Sequence, residues 1–134
     1  MVVVSLGRLG QWSPFEHDVW HEEIEQAITK GDLQGWIYFG DPLFSKLAGR
    51  KPKIPIDRVY HIRRVAYLVV HGWQDPIELD VGVPSLGCNV SWIVQDGNHR
   101  LAAAFYRKDP TIRCGISGSV EYAAHLLGVP VEEI

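Results

Sequence analysis

The stretch Ile93-Val94-Gln95-Asp96-Gly97-Asn98-His99-Arg100-Leu101-Ala102-Ala103-Ala104 constrains this chain more than any other. An apolar, β-branched run stops at Asp96-Gly97, a dipeptide that breaks a strand. A helix-forming segment follows at once, and its small side chains let it lie close against a sheet. Asn98 is placed to act as the helix N-cap. A strand joined to a helix by so short a turn implies helices layered on a sheet.

The rest of the chain supplies the partners for that unit. Ser13-Pro14-Phe15-Glu16 reads as a capping box, with Ser13 as N-cap and Pro14 at the first helical position. Val19, Trp20, Ile24, Ala27 and Ile28 then form an apolar stripe, closed by Gly31, with Glu16, Asp18, Glu22, Glu23 and Glu25 on the outer face. Trp36-Ile37-Tyr38-Phe39 is a short strand or a packed loop, and residues 41–55 form a surface loop rich in turn formers and basic side chains. A second helix runs from Ile56 to His71, with Val59, Ile62, Ala66, Val69 and Val70 on its apolar side, Arg58, His61 and Arg64 opposite, and Gly72 as terminator.

Ile77–Val81 alternates with period two and reads as a half-exposed strand. Residues 82–89 make a turn, and Val90–Val94 reads as a central strand because it is mostly apolar. A helix from His99 to Arg107, a strand Ile112–Ile116 and a helix Val120–Leu127, capped by Ser119 and ended by Gly128, complete the order. The expectation is one α+β domain over 1–134, with a small mixed sheet and about four helices.

At 134 residues there is room for one core, and 46% hydrophobic with 22% charged residues matches an ordinary globular chain. The longest apolar runs fall far short of the ~20 residues that span a bilayer. Met1-Val2-Val3-Val4 lacks the basic lead of a secretory signal, so a cytoplasmic location without membrane contact is expected. Cys88 and Cys114 have no ligand spacing and are expected to be reduced and buried.

The turn at Gly97 has the chemistry of an anion site. The first N–H groups of a helix have no internal partner and sit at the positive end of its dipole, so a phosphate there is both hydrogen-bonded and charge-stabilised. Gly97 permits close approach. Asn98, His99 and Arg100 add donors, Arg100 with a fork suited to phosphate. The other reading of the same residues is a tight turn carrying a surface arginine and a packing histidine. For any reaction Asp96, His99 and Arg100 are the candidate catalytic groups, with Glu78 and Asp80 as further acids by placement.

Residues 64–81, followed by the turn Asp96–Arg100 and the Ala-rich helix, resemble the ParB/sulfiredoxin superfamily. The shared features are a helix ending in Gly72, the Pro76-Ile77 pair that starts a strand, and a Gly-x-x-Arg turn at a helix start. The resemblance covers residues 54–127 as core, leaving 1–53 as an N-terminal helix and basic loop. It implies that Gly97, Asn98, His99 and Arg100 cradle the phosphates of a nucleotide, with a nucleoside triphosphate and Mg2+ as the cofactor class.

Gly97, His99 and Arg100 match the sulfiredoxin Gly-Cys-His-Arg turn. Asn98 stands where that family has its nucleophilic cysteine, and an amide cannot replace a thiolate, so sulfiredoxin activity is not expected. The partition-protein pattern Gly-Glu-Arg-Arg is matched at Gly97 and Arg100. With Ile134 close after the last helix, the chain resembles a stand-alone core without a helix-turn-helix reader, similar to accessory proteins of phages or plasmids. Some relatives of that kind act as nucleases or nucleotide-dependent kinases, so the resemblance implies a nuclease, NTPase or phosphotransferase if the chain is an enzyme.

Lys46, Arg50, Lys51, Lys53, Arg58, Arg63 and Arg64 are seven of the 13 basic residues, opposed in that stretch by Asp57 alone, although the whole chain carries −3. Such a run steers a polyanion or simply balances the acidic first helix. Lys46, Arg50, Lys51, Lys53, Arg63 and Arg64 are thus the candidate DNA-contacting residues, with Trp36, Tyr60 and Trp73 as stacking partners if exposed. His17 and His21 have the i, i+4 spacing of a helical zinc pair, but no third ligand accompanies them, so no metal site is assigned. The alternative to phosphate binding is an inactive interaction module that uses its acidic helix and tryptophans to bind and regulate a host protein.

Overall fold

The computed structural model describes residues 1–30 and 58–134. The expected Gly31 terminator, the Trp36–Phe39 segment and the basic residues Lys46, Arg50, Lys51 and Lys53 lie outside the described residues. Among the described residues the architecture is α+β, with strands β1 (Val2–Ser5), β2 (Ile77–Asp80), β3 (Val94–Asp96) and β4 (Thr111–Ser117). The α-helices are α1 (His17–Lys30), α2 (Arg58–His71), α3 (Asn98–Arg107) and α4 (Val120–Leu127). Short 3-10 turns occupy Leu6–Trp12, Pro84–Leu86 and Val131–Glu133.

The sheet is mixed, in the order β1-β4-β2-β3. β4 is central, antiparallel to β1 and parallel to β2, while β3 is an antiparallel edge strand on β2. The hydrophobic start of the chain, unassigned by periodicity, supplies β1: Val2 and Val4 point into the core while Val3 and Ser5 face out. Leu6, Leu9 and Trp12 continue it at every third residue, the period of a 3-10 turn, and all three are buried.

The central element is α3. Its Leu101 and Ala104 pack on the core built from the sheet and α4, while Ala102 and Ala103 pack against Trp20, Ile24, Ile62, Val65 and Leu68 from α1 and α2. The alanine run therefore serves two interfaces at once. Larger side chains would force either the sheet or the helix pair away.

Four sequence expectations need correction. The capping box does not form: α1 begins at His17, Phe15 and Glu16 take positive φ (57° and 48°), and the Glu16 carbonyl accepts from Val19 and Trp20. The physical reason is tertiary, since this turn swings the Phe15 ring onto two histidines described below. The strand expected at Val90–Val94 is shifted and peripheral. Ser91 and Trp92 are exposed, and pairing is confined to residues around Val94–Asp96, because the Ser91 carbonyl is drawn off to Trp12 Nε1 at 3.0 Å.

On α2 the buried positions are Tyr60, Ile62, Arg64, Val65, Ala66 and Leu68, whereas Val59 and Val70 are exposed. This helix is covered around more than half its circumference, so the outward face assigned to His61 and Arg64 is in fact interior. Finally, Cys114 is buried as expected, but Cys88 is exposed in the turn after β2. Ser119 does cap α4, accepting from Tyr122 N at 3.2 Å, and Gly72 does end α2 at φ 71°.

Candidate functional site

α3 starts where β3 ends, and Gly97 makes the turn. It takes φ 104° and acts as the N-cap, the role expected of Asn98. A β-carbon at Gly97 would fall within 2.8 Å of Ile77 Cβ, so a strand of the sheet lies directly beneath the helix start. The first helical bond runs from Leu101 N to the Gly97 carbonyl at 2.8 Å, which leaves the amides of Asn98, His99 and Arg100 ahead of the ladder. Asn98 Oδ1 accepts from Trp92 Nε1 at 3.0 Å on the surface.

Arg100 points inward. Its NH1 donates to the carbonyls of Asp75 and Pro76 at 3.0 and 2.9 Å, and its NH2 meets Asp96 Oδ2 at 3.1 Å. Only 7% of the Arg100 side chain is exposed, against 70% for Asp96. The guanidinium therefore ties the helix start to the approach of β2 and stands beneath it. Of the other acids, Asp80 Oδ1 accepts from Gly82 N at 2.9 Å and shapes the turn. Glu78 stands opposite Asp96 in the ladder.

Beside this turn lies a cluster that periodicity missed. His61 Nδ1 and His99 Nε2 are 2.9 Å apart, so one ring donates and the other accepts. Phe15 lies against both, stacked on His61 with ring centroids 4.5 Å apart and tilted on His99 at 4.6 Å, and Tyr60 meets both rings edge-on. Burial holds His99 well below the ordinary histidine range, and the positive charge of Arg64, the His61 ring and Arg100 push in the same direction. His99 is accordingly held in its neutral form at pH 7.

The signal for this cluster was present in Tyr60-His61…Arg64, which places an aromatic, a histidine and an arginine on adjacent positions of one helix face. It was obscured because polar residues are normally assigned to the solvent side.

His99 makes stability depend on pH. Its pKa is lower folded than unfolded, so the unfolded chain binds the proton first. The contribution is complete above the ordinary value of 6.5 and is lost as pH falls below it. One such proton gives a slope of at most about 1.4 kcal/mol per pH unit. Urea unfolding of the wild type and His99→Gln between pH 7.5 and 5 checks this: the wild type is expected to lose the larger share of its stability, and identical pH profiles would contradict it.

The remaining candidates disperse. Arg63 is half-buried on α2, Arg64 is buried beside the histidines, and Arg58 pairs with Glu23 at 2.6 Å while lying over Trp20. Tyr60 is buried, and Trp73 is partly buried beneath Arg107. The exposed His21 ring stacks on Tyr106, and among the described residues no three potential metal ligands come together. Burial and Glu78 push the Cys114 thiol up to about 12, far from a reactive thiolate. No helix among the described residues is long and apolar enough to cross a membrane. Scans against protein-family models, curated proteins and solved structures found no match to this chain.

Proposed function

We propose that this is a ParB/sulfiredoxin-like domain that binds the phosphates of a nucleotide at the helix start formed by Gly97, Asn98, His99 and Arg100. The observation that carries the reading is the pairing of a glycine-initiated helix start with a neutral, histidine-bonded His99. The amides of Asn98–Arg100 would receive the phosphate oxygens, and the positive end of α3, together with Arg64 and Arg100 behind it, would supply the field. The His61–His99 pair would accept a proton from, or return one to, a phosphate or an attacking water. Asp96, whose side chain is 70% exposed, would help to hold Mg2+ bound with a nucleoside triphosphate. A hydrolytic or phosphoryl-transfer step would draw on these groups.

Asn98→Asp tests the reading. An aspartate keeps the oxygen that accepts from Trp92 and favours the helix dipole by about 0.3–1 kcal/mol, so the fold is retained or strengthened. The same charge repels a phosphate. Equilibrium dialysis with radiolabelled ATP, CTP and GTP, with and without Mg2+, is expected to show binding to the wild type and a loss of about tenfold or more in the variant. Absence of binding at millimolar nucleotide, or equal binding by both proteins, would overturn it.

A further inference from the structure

A second basic feature lies at the other end of α3. There the helix end and the outer face of β4 border a shallow groove of about 280 Å³ lined by Val3, Gly72, Trp73, Arg107, Thr111 and Arg113. The register of β1 and β4 puts Val3 opposite Arg113 and Ser5 opposite Thr111, so these four side chains share one sheet face, and Arg113 and Thr111 are exposed on it. Arg107 lies over the Trp73 ring with its guanidinium carbon 4.9 Å from the ring centroid.

Both arginines are held in place. Arg107 Nε meets Asp109 Oδ1 at 3.4 Å, and Arg113 donates to the Gln74 carbonyl. A β-carbon at Gly72 would stand at ordinary contact distance, 3.9 Å, from Arg107 NH1. No carboxylate is among the described residues that line the groove; of the residues that adjoin it in sequence, Lys108 and His71 are exposed and Asp109 pairs with Arg107.

We propose that this groove binds the phosphodiester backbone of single-stranded nucleic acid. Two guanidinium groups with fixed geometry match phosphate oxygens, and pre-ordering reduces the side-chain entropy lost on binding. The guanidinium over the indole presents a cationic surface on which a base can lie, and the Thr111 hydroxyl adds a donor beside the cations. The groove is separate from the helix start at Gly97 and does not depend on a nucleotide being bound there. The basic run of the sequence lies at residues 46–64, whereas a helix-to-strand turn, not a run of charges, brings Arg107 and Arg113 together.

The test is fluorescence anisotropy of an end-labelled oligothymidylate titrated with the full chain across a salt series. The double variant Arg107→Gln/Arg113→Gln is expected to bind about tenfold or more weakly, and its slope of log affinity against log salt to become shallower by about 1.4, the change for two phosphates on a single strand. Asn98→Asp is expected to bind the strand like the wild type, which separates this groove from the nucleotide reading. Each arginine exchanged alone is expected to lie between wild type and double variant, with circular dichroism melting confirming the fold. Three results would overturn the proposal: no strand binding by the wild type at low salt, undiminished binding by the double variant, or equal competition by oligoglutamate and by an unlabelled strand.

Discussion

Gly97→Ala is expected to destabilise the protein by about 3 kcal/mol. The position combines two costs that do not relieve one another. Its φ of 104° lies in a region that L side chains rarely adopt, which costs on the order of 1–2 kcal/mol. The added methyl would also meet the Ile77 side chain, whose Cβ would stand 2.8 Å away. Ile77 is fully buried in the first residue of β2, so it cannot move aside without shifting the strand, and such overpacking adds about 1–3 kcal/mol.

Differential scanning calorimetry is expected to show a melting temperature lower by about 10 °C, taking the usual unfolding entropy per residue for a chain of 134. A shift of a degree or less would mean that the turn relaxes freely and that the close approach of α3 to β2 is not required. Exchange of the exposed Gly87, which has nothing within 4 Å of a new β-carbon, serves as the control for the positive-φ cost alone.

Arg100→Met is the second large effect, again about 3 kcal/mol. Methionine approximates the volume of the arginine stem but donates no hydrogen bond, so the Asp75 and Pro76 carbonyls lose the partner that holds them at 3.0 and 2.9 Å. Bonds from a charged donor contribute about 1.5–3 kcal/mol each, and partly buried carbonyls left without one are costly. The contact with Asp96 contributes little because that carboxylate is mostly exposed. Asp96→Asn is therefore expected to cost less than about 1 kcal/mol, and the contrast between the two variants by urea denaturation checks the assignment. If Asp96→Asn proved as damaging as Arg100→Met, the ion pair and not the carbonyl latch would be the main contribution.

How far the fold was legible follows from where each signal resides. α2, α3, α4, β2 and β4 were readable because their periodicity and most of their caps and terminators are local: Ser119, Gly72 and Gly128 act on the next few backbone groups and on nothing distant. β1 was not readable, since four residues of valine and serine acquire a strand's identity only by pairing with β4. The start of α1 was misplaced because the local preference of Ser13-Pro14 for a cap gave way to the contact of Phe15 with His61 and His99. Two residues at positive φ, at a typical cost of about 1 kcal/mol each, show that the ring contact prevails over propensity there.

The candidate site divides in the same way. Residue types alone place a strand, a glycine turn and a small-residue helix one after another at Val94–Ala104, because those choices depend on backbone freedom and side-chain size at adjacent positions. Packing between distant segments settles that His61 meets His99, that Arg100 turns beneath the helix start, and that Arg107 and Arg113 share a groove with Trp73. The physical reason is that a side chain's charge and hydrogen bonds are settled by what packs against it. His61 and His99 are 38 residues apart, and no spacing along the chain encodes the 2.9 Å between them.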